Sequence, residues 1–164
     1  MALGGNVGPV EQTLARALHQ LAIALGPLRV ASLYRSRPVS PVPQPDFLNT
    51  AALAHTALAP EAVLALAKAL ELAAARRRGV RFGPRPLDID LLLYGDRRSD
   101  APELTLPHPR LAARRFMLEP LAEIAPDLPV PPDGATVAAL LSRVQDQPGV
   151  ERIGNISPLQ TGSP

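Results

Sequence analysis

Cysteine is absent from the 164 residues, which excludes disulfides, thiolate zinc sites and cysteine nucleophiles. No apolar run reaches the ~20 residues needed to span a bilayer, and the N-terminus has neither the basic region nor the apolar core of a secretion signal. A soluble, cytoplasmic protein is therefore expected. Lysine is nearly absent too. Lys68 is the only one, so the pI of about 9.7 rests on arginine, whose planar fork suits phosphate and does not deprotonate. Rings are scarce, with three Phe and two Tyr. There is no G-x-x-x-x-G-K-[ST] signature, which excludes a P-loop nucleotide site. The length suits one domain, assigned to residues 1–154, with a disordered tail over 155–164.

Against those absences, the segment from Gly83 to Gly95 stands out. Asp88 and Asp90 lie two residues apart in an otherwise apolar run. In a strand both would point to one face, about 7 Å apart, where they repel each other and are costly to bury unpaired. A hard divalent cation relieves both problems, and Mg²⁺ commonly joins one or two carboxylates to a substrate's phosphates. Arg76, Arg77, Arg78, Arg81 and Arg85 lie just upstream. Carboxylates for a metal beside arginines for phosphate point to phosphoryl-type chemistry.

Met1 to Leu3 reads as the end of a strand broken by Gly4-Gly5-Asn6-Val7-Gly8, a tight turn into a helix opened by Pro9. Leu14, Leu18, Leu21 and Leu25 recur at helical spacing until Gly26-Pro27. Leu28–Ser36 reads as one strand, 37–46 as a proline-rich loop, and Phe47–Thr56 as another strand. Pro60 opens a second helix with Val63, Leu66, Leu70 and Ala74 on one face, expected to end near Arg78-Gly79. After the Asp88/Asp90 strand, 95–107 reads as a connection and 108–115 as a polar turn or short helix. Residues 116–125 read as a helix limited by Pro120. Thr136 caps a last helix to about Val144, and Val150–Ile153 is a short strand. Mixed elements without a regular βαβ period favour an α+β class, an α/β sandwich with a largely antiparallel sheet.

Six motifs in order extend this reading. They are Leu3-Gly-Gly-Asn-Val-Gly8, Ser32-Leu-Tyr-Arg-Ser-Arg-Pro38, Gln44-Pro-Asp-Phe-Leu-Asn49, Gly83-Pro-Arg-Pro-Leu-Asp-Ile-Asp90, Leu104-Thr-Leu-Pro-His-Pro109 and Arg114-Arg-Phe-Met-Leu-Glu-Pro120. Together they resemble the 6-hydroxymethyl-7,8-dihydropterin pyrophosphokinase family of folate biosynthesis, from Gly4 to about Pro126. The resemblance implies a ferredoxin-like fold with mobile active-site loops. It implies transfer of pyrophosphate from ATP to the pterin's hydroxymethyl group, with AMP released. It also implies two Mg²⁺ ions held by Asp88 and Asp90. Arg85, Arg114, His108 and Arg76 match family residues that contact the nucleotide's phosphates, which makes these arginines and Asp90 the expected catalytic set. Phe47 and Phe116 match the residues that sandwich the pterin, and Asn49 the one at its polar edge. Gly4 and the loop from Ser36 to Val39 complete the pterin site. A monomer acting on small molecules, with no nucleic-acid or membrane partner, is expected.

Gly5 stands where the family commonly has serine, and Phe82 where it often has tryptophan. The chain begins close to the glycine turn, so a short first strand is expected. Two rival readings remain at this point. An RNA-binding sheet would need aromatics in an RNP-type motif, which the chain lacks. A DxD glycosyltransferase or a nucleotidyltransferase would release a nucleoside diphosphate or inorganic pyrophosphate, not AMP.

Overall fold

The computed structural model describes residues 1–38, 43–74, 84–144 and 149–156. Its main sheet runs β10(Val150–Gly154), β3(Leu33–Ser36), β4(Phe47–Ala54), β1(Ala2–Gly5), β5(Asp88–Asp90), with β2(Leu28–Val30) also pairing with β4. Every pairing in it is antiparallel. With α1(Val10–Leu25) after β1 and α2(Pro60–Ala74) after β4, the order is that of the expected ferredoxin-like sandwich.

Alternation along the strands separates two cores. Leu3, Leu33, Ala52 and Ile89 pack with Leu14, Leu18 and Leu21 of α1 and Val63 and Ala67 of α2. Ala2, Ala31 and Ala51 face the other way, onto Met117, Leu118 and Leu121 of α3(Arg115–Ile124) and Val137 of α4(Val137–Arg143). The leucines predicted for the inner face of α1 are all buried there. Thr136 caps α4 as expected, its Oγ1 accepting from the Ala139 N–H at 3.1 Å.

Several boundaries differ from expectation. β1 runs on through Gly4 and Gly5, which pair with Asn49 and Leu48 of β4 and are closely approached. A Cβ at Gly4 would lie 2.8 Å from Asn49 Oδ1, and one at Gly5 would fall on the Pro86 carbonyl. The single strand expected over 28–36 breaks at Ser32, whose N–H and hydroxyl donate to the Glu123 carboxylate at 3.0 and 2.7 Å. The connection over 95–107 contains a hairpin of β6(Ser99–Ala101) and β7(Leu104–Leu106), and β8(Pro129–Val130) pairs with β9(Ala135–Thr136). Pro120 lies inside α3, fully buried, and the helix continues past it. The expected end of α2 near Arg78-Gly79 lies outside the described residues. So do residues 157–164 of the expected tail, whereas Asn155 accepts from Arg152 and Ile156 packs on the α1/α2 core.

Candidate active site

Strand register assembles the site. Gly4 pairs with Asn49 on one side and Asp88 on the other, and Ala2 pairs with Ala51 and Asp90. Asn49 in turn pairs with Tyr34, and Phe47 with Ser36. Paired residues share a face, so Ser36, Phe47, Asn49, Gly4, Asp88 and Asp90 all look toward α3. A cavity of about 510 Å³ opens there, lined by those six residues, by Arg85, Arg114 and Phe116, and by Arg110, Gln44 and Met117 among others. Motifs separated by as many as 112 positions (Gly4 to Phe116) therefore meet in one space.

Asp88 and Asp90 flank the buried Ile89, as the period-two reading requires. Burial and the neighbouring Asp88 push the Asp90 carboxyl above its usual range, against the pull of Lys68, Arg114 and Arg85. Asp88 already has a cation: Arg85 Nη1 lies 2.9 Å from its Oδ2. Among the described residues no group of three or more His, Asp or Glu side chains gathers to hold a metal. The pair alone fits an ion whose remaining ligands come from substrate phosphate and water.

The opposite wall is basic. Arg114, just before α3, lies over the Phe116 ring at 5.4 Å. Burial and the nearby Arg110 lower its pKa, an unfavourable crowding of like charges that an anion would relieve. Neither Arg110 nor Arg114 forms an ion pair among the described residues. His108 does not line the cavity, yet it feels the same charges. Burial, then Arg114 and Arg110, hold its pKa down to about 4, so it is neutral near pH 7. Its Nδ1 accepts from the Arg110 N–H at 3.2 Å, which puts the single ring proton on Nε2 and makes that nitrogen a donor.

On the remaining side, Asn49 Nδ2 donates to Ser36 Oγ at 2.9 Å, and its Oδ1 lies over Gly4. A Cβ at position 4 would crowd that amide, 2.8 Å from its oxygen. Arg76 and Val39 lie outside the described residues, as do Arg77, Arg78, Arg81 and Phe82.

Three residues in or around the site escaped the sequence reading. Arg110 lines the cavity. Glu71 on α2 accepts the Ile89 N–H at 2.7 Å and is bound by Lys68 at 2.9 Å, which pins the edge strand carrying both aspartates. Asn6 ties the glycine turn to two other segments. The adjacent His108-Pro109-Arg110 was a signal available for Arg110. A glutamate on a helix face carries no such signal.

Comparison with known proteins identifies the family. Residues 1–126 match the model of the 7,8-dihydro-6-hydroxymethylpterin-pyrophosphokinase family. A protein of Synechocystis named 2-amino-4-hydroxy-6-hydroxymethyldihydropteridine pyrophosphokinase is 41% identical, over 100% of this chain and 88% of its own length. One of the same name from Pseudomonas aeruginosa is 40% identical, over 93% of this chain and 94% of its own. Another, from Bacillus subtilis, is 42% identical over 76% and 75%.

Proposed function

The chain belongs to the 7,8-dihydro-6-hydroxymethylpterin-pyrophosphokinase family, and from that premise we propose how its own residues carry the reaction. The protein transfers pyrophosphate from ATP to the hydroxymethyl group of 6-hydroxymethyl-7,8-dihydropterin, in folate biosynthesis. The substrate oxygen bonds to the β-phosphorus, the bond from that phosphorus to the α–β bridging oxygen breaks, AMP leaves, and the hydroxyl proton is lost.

Asp88 and Asp90 are the proposed holders of two Mg²⁺ ions. The raised Asp90 carboxyl and the arginine on Asp88 support this, since both mark a pair in want of positive charge. When bound, the ions would neutralise the triphosphate and polarise the phosphorus under attack. Arg85, Arg114, Arg76 and His108 hold the nucleotide's phosphates, and Arg110 joins them. Three of the arginines line one cavity beside the carboxylates, and His108 offers a neutral Nε2 donor. Phe47 and Phe116 stack on the pterin, Asn49 reads its polar edge with an amide that donates and accepts, and Ser36, Val39 and Gly4 close the site. No protein side chain is assigned as general base. We further propose a single domain over 1–154, acting as a cytoplasmic monomer on small molecules, without nucleic-acid or membrane partners. No helix among the described residues is long and apolar enough to cross a membrane.

The observation carrying this reading is the shared sheet face that brings Asp88, Asp90, Gly4, Asn49 and Phe47 against the arginine wall. AMP release from Mg²⁺-ATP, measured with and without the pterin, tests it. AMP equimolar with pyrophosphorylated pterin, and requiring both pterin and Mg²⁺, is expected. A folded protein that releases no AMP overturns it.

A further inference from the structure

Asn6 is 5% exposed and all its side-chain bonds go to other parts of the chain. Its Oδ1 accepts the Arg85 N–H at 2.9 Å, while its own N–H donates to the Arg85 carbonyl at 2.9 Å. Its Nδ2 donates to Gln44 Oε1 and to the Pro45 carbonyl, each at 3.0 Å. The oxygen end of one buried amide thus grips the segment carrying Arg85, on the phosphate side of the cavity. The nitrogen end grips the segment leading into Phe47, on the pterin side.

We propose that Asn6 is a positioning residue that sets the two substrate half-sites in register, its oxygen serving the nucleotide side and its nitrogen the pterin side. The inference rests on the assignment of Arg85 to phosphate and Phe47 to pterin. An amide suits this position because its two ends differ: one accepts and the other donates twice. A buried group with every bond satisfied holds its partners in one arrangement, and this one lies between loops that lack a common strand pairing. It also explains why the motifs at 3–8, 44–49 and 83–90 occur together, since Asn6 in the first bonds to the other two.

The two ends can be separated by substitution. Asn6→Asp keeps an acceptor for Arg85 but turns an oxygen toward the Pro45 carbonyl, which cannot donate. Asn6→Ala removes both ends. Michaelis constants for ATP and for the pterin are measured by AMP release, with thermal melts of each variant beside the wild type. Asn6→Asp is expected to raise the pterin KM about tenfold, the equivalent of about 1.4 kcal/mol, while the ATP KM changes less than about twofold. Asn6→Ala is expected to raise both and to lower kcat as well. Equal changes in both constants for Asn6→Asp, or unchanged constants in both variants, overturn the proposal. So does unfolding of both variants, because Asn6 would then support the fold as a whole. A wild-type protein without pterin-dependent AMP release would instead remove the functional premise, leaving the two failures distinguishable.

Discussion

Replacing Asp90 with asparagine should make the empty protein more stable while destroying its activity. Carboxylates two residues apart on a strand face lie about 7 Å apart. At an effective dielectric of about 20, two unit charges at that separation repel by about 2 kcal/mol. Arg85 on Asp88 and the partial exposure of that pair, 35% for each side chain, reduce this to about 1 kcal/mol. Asp90 also has attractive neighbours in Lys68, Arg114 and Arg85, but its carboxyl is raised in net, so its surroundings favour the neutral form. The Met1 amino group, which Asp90 also faces, does not change the sign, because burial holds its pKa near 5 and it is neutral at pH 7. For a chain of this length about 1 kcal/mol is a rise of about 2–4 °C in melting temperature. The assay is a thermal melt in chelator, repeated with Mg²⁺ and a non-hydrolysable ATP analogue. Asp90→Asn should melt higher than wild type in chelator and gain little from the ligands. Wild type should gain substantially, and the variant's turnover should fall at least about 100-fold. A variant that melts lower than wild type in chelator would refute the claim that this carboxylate is held at a cost for a cation.

His108→Gln preserves an acceptor toward the Arg110 N–H and a donor at the far end, so it should keep most activity, whereas His108→Ala should raise the ATP KM about ten- to hundredfold. The same pair of proteins tests a linkage. The folded pKa of His108, about 4, lies below the unfolded value near 6.5, so the unfolded chain takes up the proton first as pH falls. Its contribution to stability is present above about pH 6.5 and is lost toward pH 4, and melts of wild type minus His108→Gln across that window should show the loss. Arg110→Ala should raise the ATP KM about tenfold with the pterin KM unchanged, and unchanged ATP binding would remove it from the phosphate wall. Gly4→Ala would put a methyl 2.8 Å from Asn49 Oδ1 and should raise the pterin KM about tenfold, checked by pterin titration at saturating ATP. An Asn49 that tolerates the methyl without loss of pterin affinity would contradict its assigned role.

What could be read before any coordinates follows from the range of the forces involved. Leu14, Leu18 and Leu21 declare α1 because helix periodicity is local, and Asp88 and Asp90 declare a shared face because strand alternation is local. The ferredoxin-like order came only through family resemblance, since strand neighbours such as β1 and β5 are more than eighty residues apart. The break between β2 and β3 depends on Glu123, 91 residues from Ser32, and nothing near Ser32 announces it. The β6–β7 hairpin was missed because Ser99-Asp100-Ala101 carries no apolar alternation. Glu71 carries no local signal, although its carboxylate holds the strand with both aspartates. Asn6 was read as part of a turn because its bonding is entirely to remote segments. Asp88, Asp90, Phe47 and Asn49, which line the cavity, were legible as types, and Asn6 and Glu71, which bond to the segments around them, were not.

The charges around the cavity also bear on how the nucleotide enters. Asp88 and Asp90 stand on the sheet, Arg110 and Arg114 stand at the start of α3, and Arg85 pairs with Asp88. A triphosphate arriving alone would satisfy the arginines but bring its negative oxygens against a carboxylate pair already under repulsion. A divalent cation arriving alone would relieve the carboxylates but add charge near Arg114, whose pKa burial and the neighbouring Arg110 already lower. Either ligand by itself therefore improves one wall at the other's expense. A metal–nucleotide complex carries the two complements together, and its residual charge is small enough that neither wall opposes it. Arg85 on Asp88 and Arg114 over the Phe116 ring cover part of each charge with the protein's own residues, through pairings weak enough for the complex to displace.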